Sequence, residues 1–71
     1  MDVIEKVKEY CERELYFYQS YGKEKGANLW SLIDRCYGAI MFASSFLEPK
    51  DNEALGKWWD DTMRPALYAE N

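Results

Sequence analysis

Apolar residues recur at steps of three and four along three stretches of the chain, which is the spacing of one face of an α-helix. A break bracketed by glycines at 22–26 and a second break at Glu48 and Pro49 separate these stretches. The pattern predicts helices at about 2–21, 28–47 and 52–69. Because the connections are short, we expect an all-α fold in which three helices run up, down and up in a small bundle, as a single domain over 1–71.

The first predicted helix has a clear start and an ambiguous second half. Asp2 is a candidate N-cap, because its carboxylate can accept a hydrogen bond from the first turn. The apolar stripe consists of Ile4, Val7, Cys11, Leu15 and Tyr18. The run 15–18, with Tyr21, surrounds most of the helix with apolar groups and would also suit a strand. Helix is favoured because the upstream pattern is regular, and Gly22 suits the left-handed residue that ends a helix.

The second predicted helix carries the most regular pattern in the chain. Asn28 is a candidate N-cap, and Pro49 ends the helix because the residue before a proline avoids the helical region. The main stripe consists of Leu29, Ile33, Cys36, Ile40, Ala43 and Leu47. Beside it lies a second stripe of Trp30, Tyr37, Met41 and Ser44, interrupted by Asp34. Since more than half of the circumference is apolar, we expect this helix to be central.

The third predicted helix contains two adjacent tryptophans and a proline near its end. Its stripe consists of Leu55, Trp58, Trp59, Thr62, Met63, Ala66 and Leu67. Trp59 lies four residues from an apolar position on either side, so it is predicted to be in the core, with Trp58 at the edge. Pro65 has no amide proton and clashes with the preceding turn, so a kink or break is expected there.

Charge and hydropathy exclude several classes of partner. The chain has 71 residues, a net charge of −4 and no basic stripe, which argues against direct binding of nucleic acid. Its longest uncharged run, 36–47, is too short to span a bilayer, so a soluble protein with no membrane partner is expected. The charged start, 1–10, lacks the apolar segment of a signal peptide, which favours a reducing cytoplasm.

The small size of the chain raises the question of what stabilises it. A core of this size is marginal, and such domains often rely on disulfides, a metal or self-association. In a reducing compartment Cys11 and Cys36 are best interpreted as small core residues whose buried thiols are inert. Two cysteines without histidine cannot complete a tetrahedral zinc site unless carboxylates contribute. Self-association remains, most simply as a symmetric dimer that completes the bundle.

The residue types do not predict a catalytic, cofactor or metal site. The chain contains no histidine, which removes the commonest general base and the usual partner of a nucleophilic serine or cysteine. Glu5, Glu9, Glu12 and the acidic pair 60–61 could hold a metal if several helices turned carboxylates inward. The second helix offers only Asp34 for this purpose, so a solvated charged face is the better interpretation.

Asp34 allows two interpretations, because an ionised carboxylate in an apolar stripe must be paired or exposed. It could mark the solvent edge of the helix, or pair with Arg13 or Arg64 on another helix. Alternatively, it could be a buried polar group that sets the register of an oligomer.

The surplus of aromatic residues is the strongest indication of function. They make up 17% of the chain, more than so small a core can enclose. Adjacent aromatic side chains point about 100° apart on a helix, so one of each pair faces outward. Exposed Tyr and Trp side chains are typical of protein–protein contacts. The predicted interface residues are Tyr16, Phe17, Tyr21, Trp30, Asp34, Tyr37, Met41 and Trp58.

These features favour a small, non-catalytic protein–protein interaction module that binds itself or another protein. Two alternatives remain open. The acidic composition also suits an inhibitor or regulator that covers the basic surface of a nucleic-acid-handling protein, as small phage and mobile-element proteins do. Carboxylates from two chains could also form a metal-dependent hydrolase.

Overall fold

A computed structural model of the protein describes residues 2–69, in which the first two helices begin at the predicted caps. Helix α1 (Val3–Phe17) follows Asp2, whose carboxylate accepts a hydrogen bond from the backbone N–H of Ile4 at 3.0 Å. Helix α2 (Leu29–Ser44) follows Asn28, whose side-chain oxygen accepts a hydrogen bond from the backbone N–H of Trp30 at 2.8 Å. Each bond satisfies an amide that the helix leaves unpaired, and both caps are confirmed.

The connection between the second and third helices differs from the prediction. Helix α2 ends at Ser44 rather than near residue 47. Helix α3 (Pro49–Trp58) begins at the proline rather than near residue 52. Proline is well suited to the first helical position, because its missing N–H would have no partner there. Pro49 therefore begins one helix instead of ending the previous one.

Two π turns lengthen the helices. Tyr18–Gly22 continues α1, and Trp59–Met63 joins α3 to α4 (Arg64–Tyr68). In the second π turn the backbone N–H of Arg64 donates to the carbonyl of Trp59, five residues back. This wider turn eases the clash that a proline ring makes with the preceding carbonyl in a regular α-helix. The disturbance predicted at Pro65 is therefore found one turn earlier, as a wide turn and not as a break.

The loop between α1 and α2 takes its left-handed residue from Gly26, whose φ is 82°. A side chain at such an angle is disfavoured, so glycine is needed there. The prediction that Gly22 is the left-handed residue is wrong. Gly22 instead permits a close approach, because a Cβ at this position would lie 3.0 Å from the Cβ of Ala27.

The described residues form a compact all-helical fold, which confirms the predicted class. The buried core consists of Val7, Cys11, Leu32, Ile33, Cys36, Ala43, Leu55, Trp59, Met63 and Leu67. All of these except Leu32 belong to the predicted stripes. Thr62, which was included in the third stripe, is exposed. It lies within the second π turn, which changes the direction of its side chain relative to a regular helix.

Helices α1 and α2 pack side by side in opposite directions. Near the end of α1, the Nε of Arg35 donates to Oε1 of Glu14 at 2.6 Å. Near the start of α1, Val3 and Phe46 line the same groove. These contacts place the first turn of one helix beside the last turn of the other.

The third helical segment, 49–68, runs antiparallel to α2. Near its start, Nδ2 of Asn52 donates to the carbonyl of Ser44 at 3.4 Å, and further along the rings of Trp59 and Tyr37 stack with centroids 4.8 Å apart. The molecule is elongated, with extents of 38 × 19 × 19 Å.

Candidate interaction surface

Helix α2 exposes two apolar ridges on the side away from the core. We refer to them together as the α2 face, whose five residues are 41–70% exposed: Trp30, Tyr37 and Met41 in the first ridge, Phe42 and Phe46 in the second. Asp34 and Gly38 of α2, together with Ser45 just after its end, are exposed between the two ridges. Apart from its chain neighbours and the backbone of its own helix, no described atom lies within 4 Å of the position that a Cβ would take on Gly38. The middle of the α2 face is therefore open.

The first ridge is anchored to the core. The ring of Tyr37 lies against that of Trp59, with an interplanar angle of 35°, and Trp59 is only 4% exposed. Tyr37 therefore keeps a defined position while part of its ring stays free. An aromatic side chain held in this way loses little entropy when a partner covers it.

The second ridge forms one wall of an apolar groove of about 300 Å³ between α1 and α2. The rings of Phe42 and Phe46 meet edge to face with centroids 4.9 Å apart. Val3 and Tyr10 of α1 line the opposite wall. Sequence reasoning missed both phenylalanines because neither belongs to a predicted stripe. Their own four-residue spacing was the available signal, since it places them on one side of the helix.

A separate aromatic cluster occupies the end of α1 and its π turn. Phe17 lies 5.7 Å from Tyr16 and 6.0 Å from Tyr21, measured between ring centroids. All three side chains are exposed, as expected from their positions off the first stripe. Phe17 and Ser31 line one shallow cavity of about 270 Å³. The cluster therefore borders α2 at its first turn.

The eight predicted interface residues thus lie in three places. Tyr16, Phe17 and Tyr21 form the cluster at the end of α1, while Trp30, Asp34, Tyr37 and Met41 lie on α2. Trp58 lies apart from both groups. It is half-buried against the core, and the Nζ of Lys8 is 5.7 Å from its ring centroid.

Asp34 is exposed, and the arginines considered as its partners make other contacts. Arg64 pairs with Asp60 at 3.1 Å, and the guanidinium of Arg13 lies 5.9 Å from the ring centroid of Tyr10. Of the alternatives for Asp34, the position at the solvent edge of the helix agrees with its exposure, and an ion pair with either arginine is not found among residues 2–69. The arginine that does bridge two helices is Arg35, through its bond to Glu14.

Within residues 2–69, no group of three or more cysteine, aspartate or glutamate side chains lies close enough together to hold a metal ion. Over the same range, each helix is too short or too polar to cross a membrane. No family model matches the chain, and comparisons with the curated proteins and with the solved structures give no match either. The exposed α2 face is therefore the basis for a functional proposal.

Proposed function

We propose that this protein is a small, non-catalytic interaction module that pairs with a second copy of itself through the α2 face. The observation that carries the proposal is the exposure of two aromatic ridges along one side of α2. The largest apolar patch on a monomer is often a functional contact site. The antiparallel contacts of neighbouring segments support an up-down-up bundle, which the second copy completes.

The area of the α2 face suits a dimer. If each large side chain can bury about 150–250 Å², the five exposed residues leave on the order of 600 Å² uncovered. A standard interface buries about 800 Å² on each partner. Flanking residues such as Val3 and Ser45, both exposed, supply the remaining area.

The distribution of charge favours a second copy as the occupant. Asp34 and Arg35 are the charged residues of α2, and Arg35 is engaged by Glu14. Two chains of net charge −4 repel each other least where they meet through a nearly uncharged helix. An antiparallel pairing of the two α2 helices across Gly38 also keeps the two Asp34 carboxylates apart. The pair then has the two-fold symmetry of most small dimers.

Sedimentation equilibrium of the full chain at micromolar concentration tests the proposal. We expect twice the mass of one 8.4 kDa chain. Met41→Glu places a charge in the α2 face and should yield a monomer of unchanged helicity, because an unpaired charge is costly to bury. Tyr68→Glu, at an exposed aromatic residue outside the α2 face, is the matched control and should remain dimeric. A well-folded wild-type protein that sediments only as a monomer would falsify the proposal.

A further inference from the structure

Cys11 and Cys36 are the only cysteines of the chain, and the fold brings them together. Cys11 lies on α1 and Cys36 on α2, and both side chains are completely buried. Both belong to one buried core cluster, and each thiol lies close enough to shift the pKa of the other. The contact joins two helices that are separated in sequence by the whole of the first loop.

The pairing of α1 with α2 sets this contact. Arg35, next to Cys36, bonds to Glu14, which lies one turn beyond Cys11. On α2 the same side of the helix carries small residues, since Ala43 is buried and Ala39 packs against the core. Small side chains let two helix axes approach closely. A disulfide requires such an approach, because its two Cα atoms must lie within about 7 Å.

We propose that oxidation converts Cys11 and Cys36 into an intramolecular disulfide that ties α1 to α2 through the core. With glutathione disulfide as oxidant, one cysteine thiolate attacks a sulfur of the oxidant, forms a mixed disulfide and releases one glutathione thiolate. The second cysteine thiolate then attacks the protein sulfur of that mixed disulfide and releases the other glutathione. The two protons lost by the cysteines pass to the two glutathione thiolates, so one dithiol is oxidised and one disulfide is reduced.

The two buried thiols shift each other's pKa. The hydrogen bond from Cys11 lowers the pKa of Cys36 below its ordinary value, although burial acts in the opposite direction. The same hydrogen bond, and then burial, raise the pKa of Cys11. Burial thus raises the pKa of both thiols, and for Cys36 the hydrogen bond outweighs it. Because both sulfurs are buried, a thiolate of either cysteine can attack the oxidant only in molecules where α1 has opened from α2.

Equilibration of the full chain in glutathione buffers of stepped composition, with and without denaturant, tests this proposal. After acid quenching, intact mass should show a monomeric chain that has lost two hydrogen atoms. Because the fold holds the sulfurs together, the effective concentration of the pair should be greater in native buffer than in denaturant. The expected ratio is on the order of several hundredfold, the constraint associated with a loop of this length.

Cys11→Ser and Cys36→Ser are the matched controls, and each should acquire one glutathione instead of losing hydrogen. If either variant fails to fold, the comparison of native and denatured wild-type protein still decides the question. Uptake of two glutathiones by the native chain, chains cross-linked to each other, or equal effective concentrations in the two solvents would each overturn the proposal. None of these outcomes depends on pairing through the α2 face.

Discussion

At the scale of single residues, the adjacent Trp58 and Trp59 have different surroundings. Trp59 is buried and stacks on Tyr37, whereas Trp58 is half-buried beneath the ammonium group of Lys8. This division was predictable, because Trp59 lies four residues from core positions on either side and Trp58 does not. Leu32 was not predictable in the same way. It is fully buried beside Ile33. Both residues are enclosed because α1 and the third helical segment, 49–68, pack against α2.

Replacement of Trp59 by alanine should lower the free energy of unfolding by about 3–5 kcal/mol, the range for large aromatic truncations in cores. Phe17→Ala, which removes an exposed aromatic ring outside the α2 face, should cost much less. Trp58→Ala should fall between the two. Denaturant midpoints at one protein concentration provide the comparison. Equal losses for Trp59→Ala and Phe17→Ala would show that the exposed aromatics support the fold as much as the core does.

Ile33→Asp should unfold the domain. Ile33 is 4% exposed, and an unpaired buried charge costs several kcal/mol, a large part of the ~5–15 kcal/mol that stabilises a typical domain. Ile40 is only half-buried, so Ile40→Asp should destabilise less. Circular dichroism and thermal melting measure both variants. A helical spectrum with an unchanged melting point for Ile33→Asp would contradict a central position for α2.

At the scale of elements, the spacing of core residues explains the second π turn. Leu55, Trp59, Met63 and Leu67 are buried at successive steps of four. Steps of four exceed the period of about 3.6 residues, so the stripe of a regular helix would drift away from the core. A π turn takes one more residue into its hydrogen-bonded ring and returns the stripe to the core. Helix α2 alternates steps of three and four and forms no such turn over its described length.

The ends of the helices were less predictable than their existence. Apolar residues continue past Ser44 to Leu47, so periodicity alone extends α2 too far. A local contact accompanies the end of the helix. The Ser45 hydroxyl donates to the carbonyl of Phe42 at 2.7 Å and so competes for the acceptor that an amide of the next helical turn would use. Such competition by side chains leaves no mark in the apolar pattern.

Pro65→Ala should raise the free energy of unfolding by about 1–2 kcal/mol, less than for a proline in a regular helix, because alanine restores an amide donor while the π turn already eases the clash. Pro49→Ala is the matched control. Pro49 occupies the first position of its helix, where proline has little cost, so this change should be neutral or slightly destabilising. Thermal melts of both variants measure the change in stability. A loss of stability in Pro65→Ala would contradict a cost of the proline at this position.

At the scale of the whole molecule, α2 is apolar on its outer side while α1 and the third segment carry most of the charge. Composition predicts that aromatic residues must be exposed, and the first ridge coincides with a stripe visible in the sequence. The second ridge could not be predicted in this way. Phe42 and Phe46 lie beside α1 without being covered by it, which depends on the distance between two helices and not on the pattern of either one.

Association should strengthen with ionic strength. Each chain carries a net charge of −4, and salt screens the repulsion between two copies while leaving apolar contact intact. An acidic regulator bound to a basic partner would show the reverse, since salt weakens opposite-charge attraction. Sedimentation equilibrium at low and high salt measures the change, with Met41→Glu as a variant that should stay monomeric in both. Weaker self-association at high salt would contradict pairing through a nearly uncharged face.

The elongated shape of the chain has a hydrodynamic consequence. The helical segment 49–68 is about 30 Å long at the usual rise per residue, so it can lie only along the 38 Å direction, and α2 runs antiparallel to it. A second copy packed against α2 therefore increases one of the two short dimensions and leaves the long dimension nearly unchanged. Pairing on this side yields a particle with a lower frictional ratio than one chain. It would sediment faster than an end-to-end pair of equal mass, and its maximum dimension in small-angle scattering would stay close to that of the monomer.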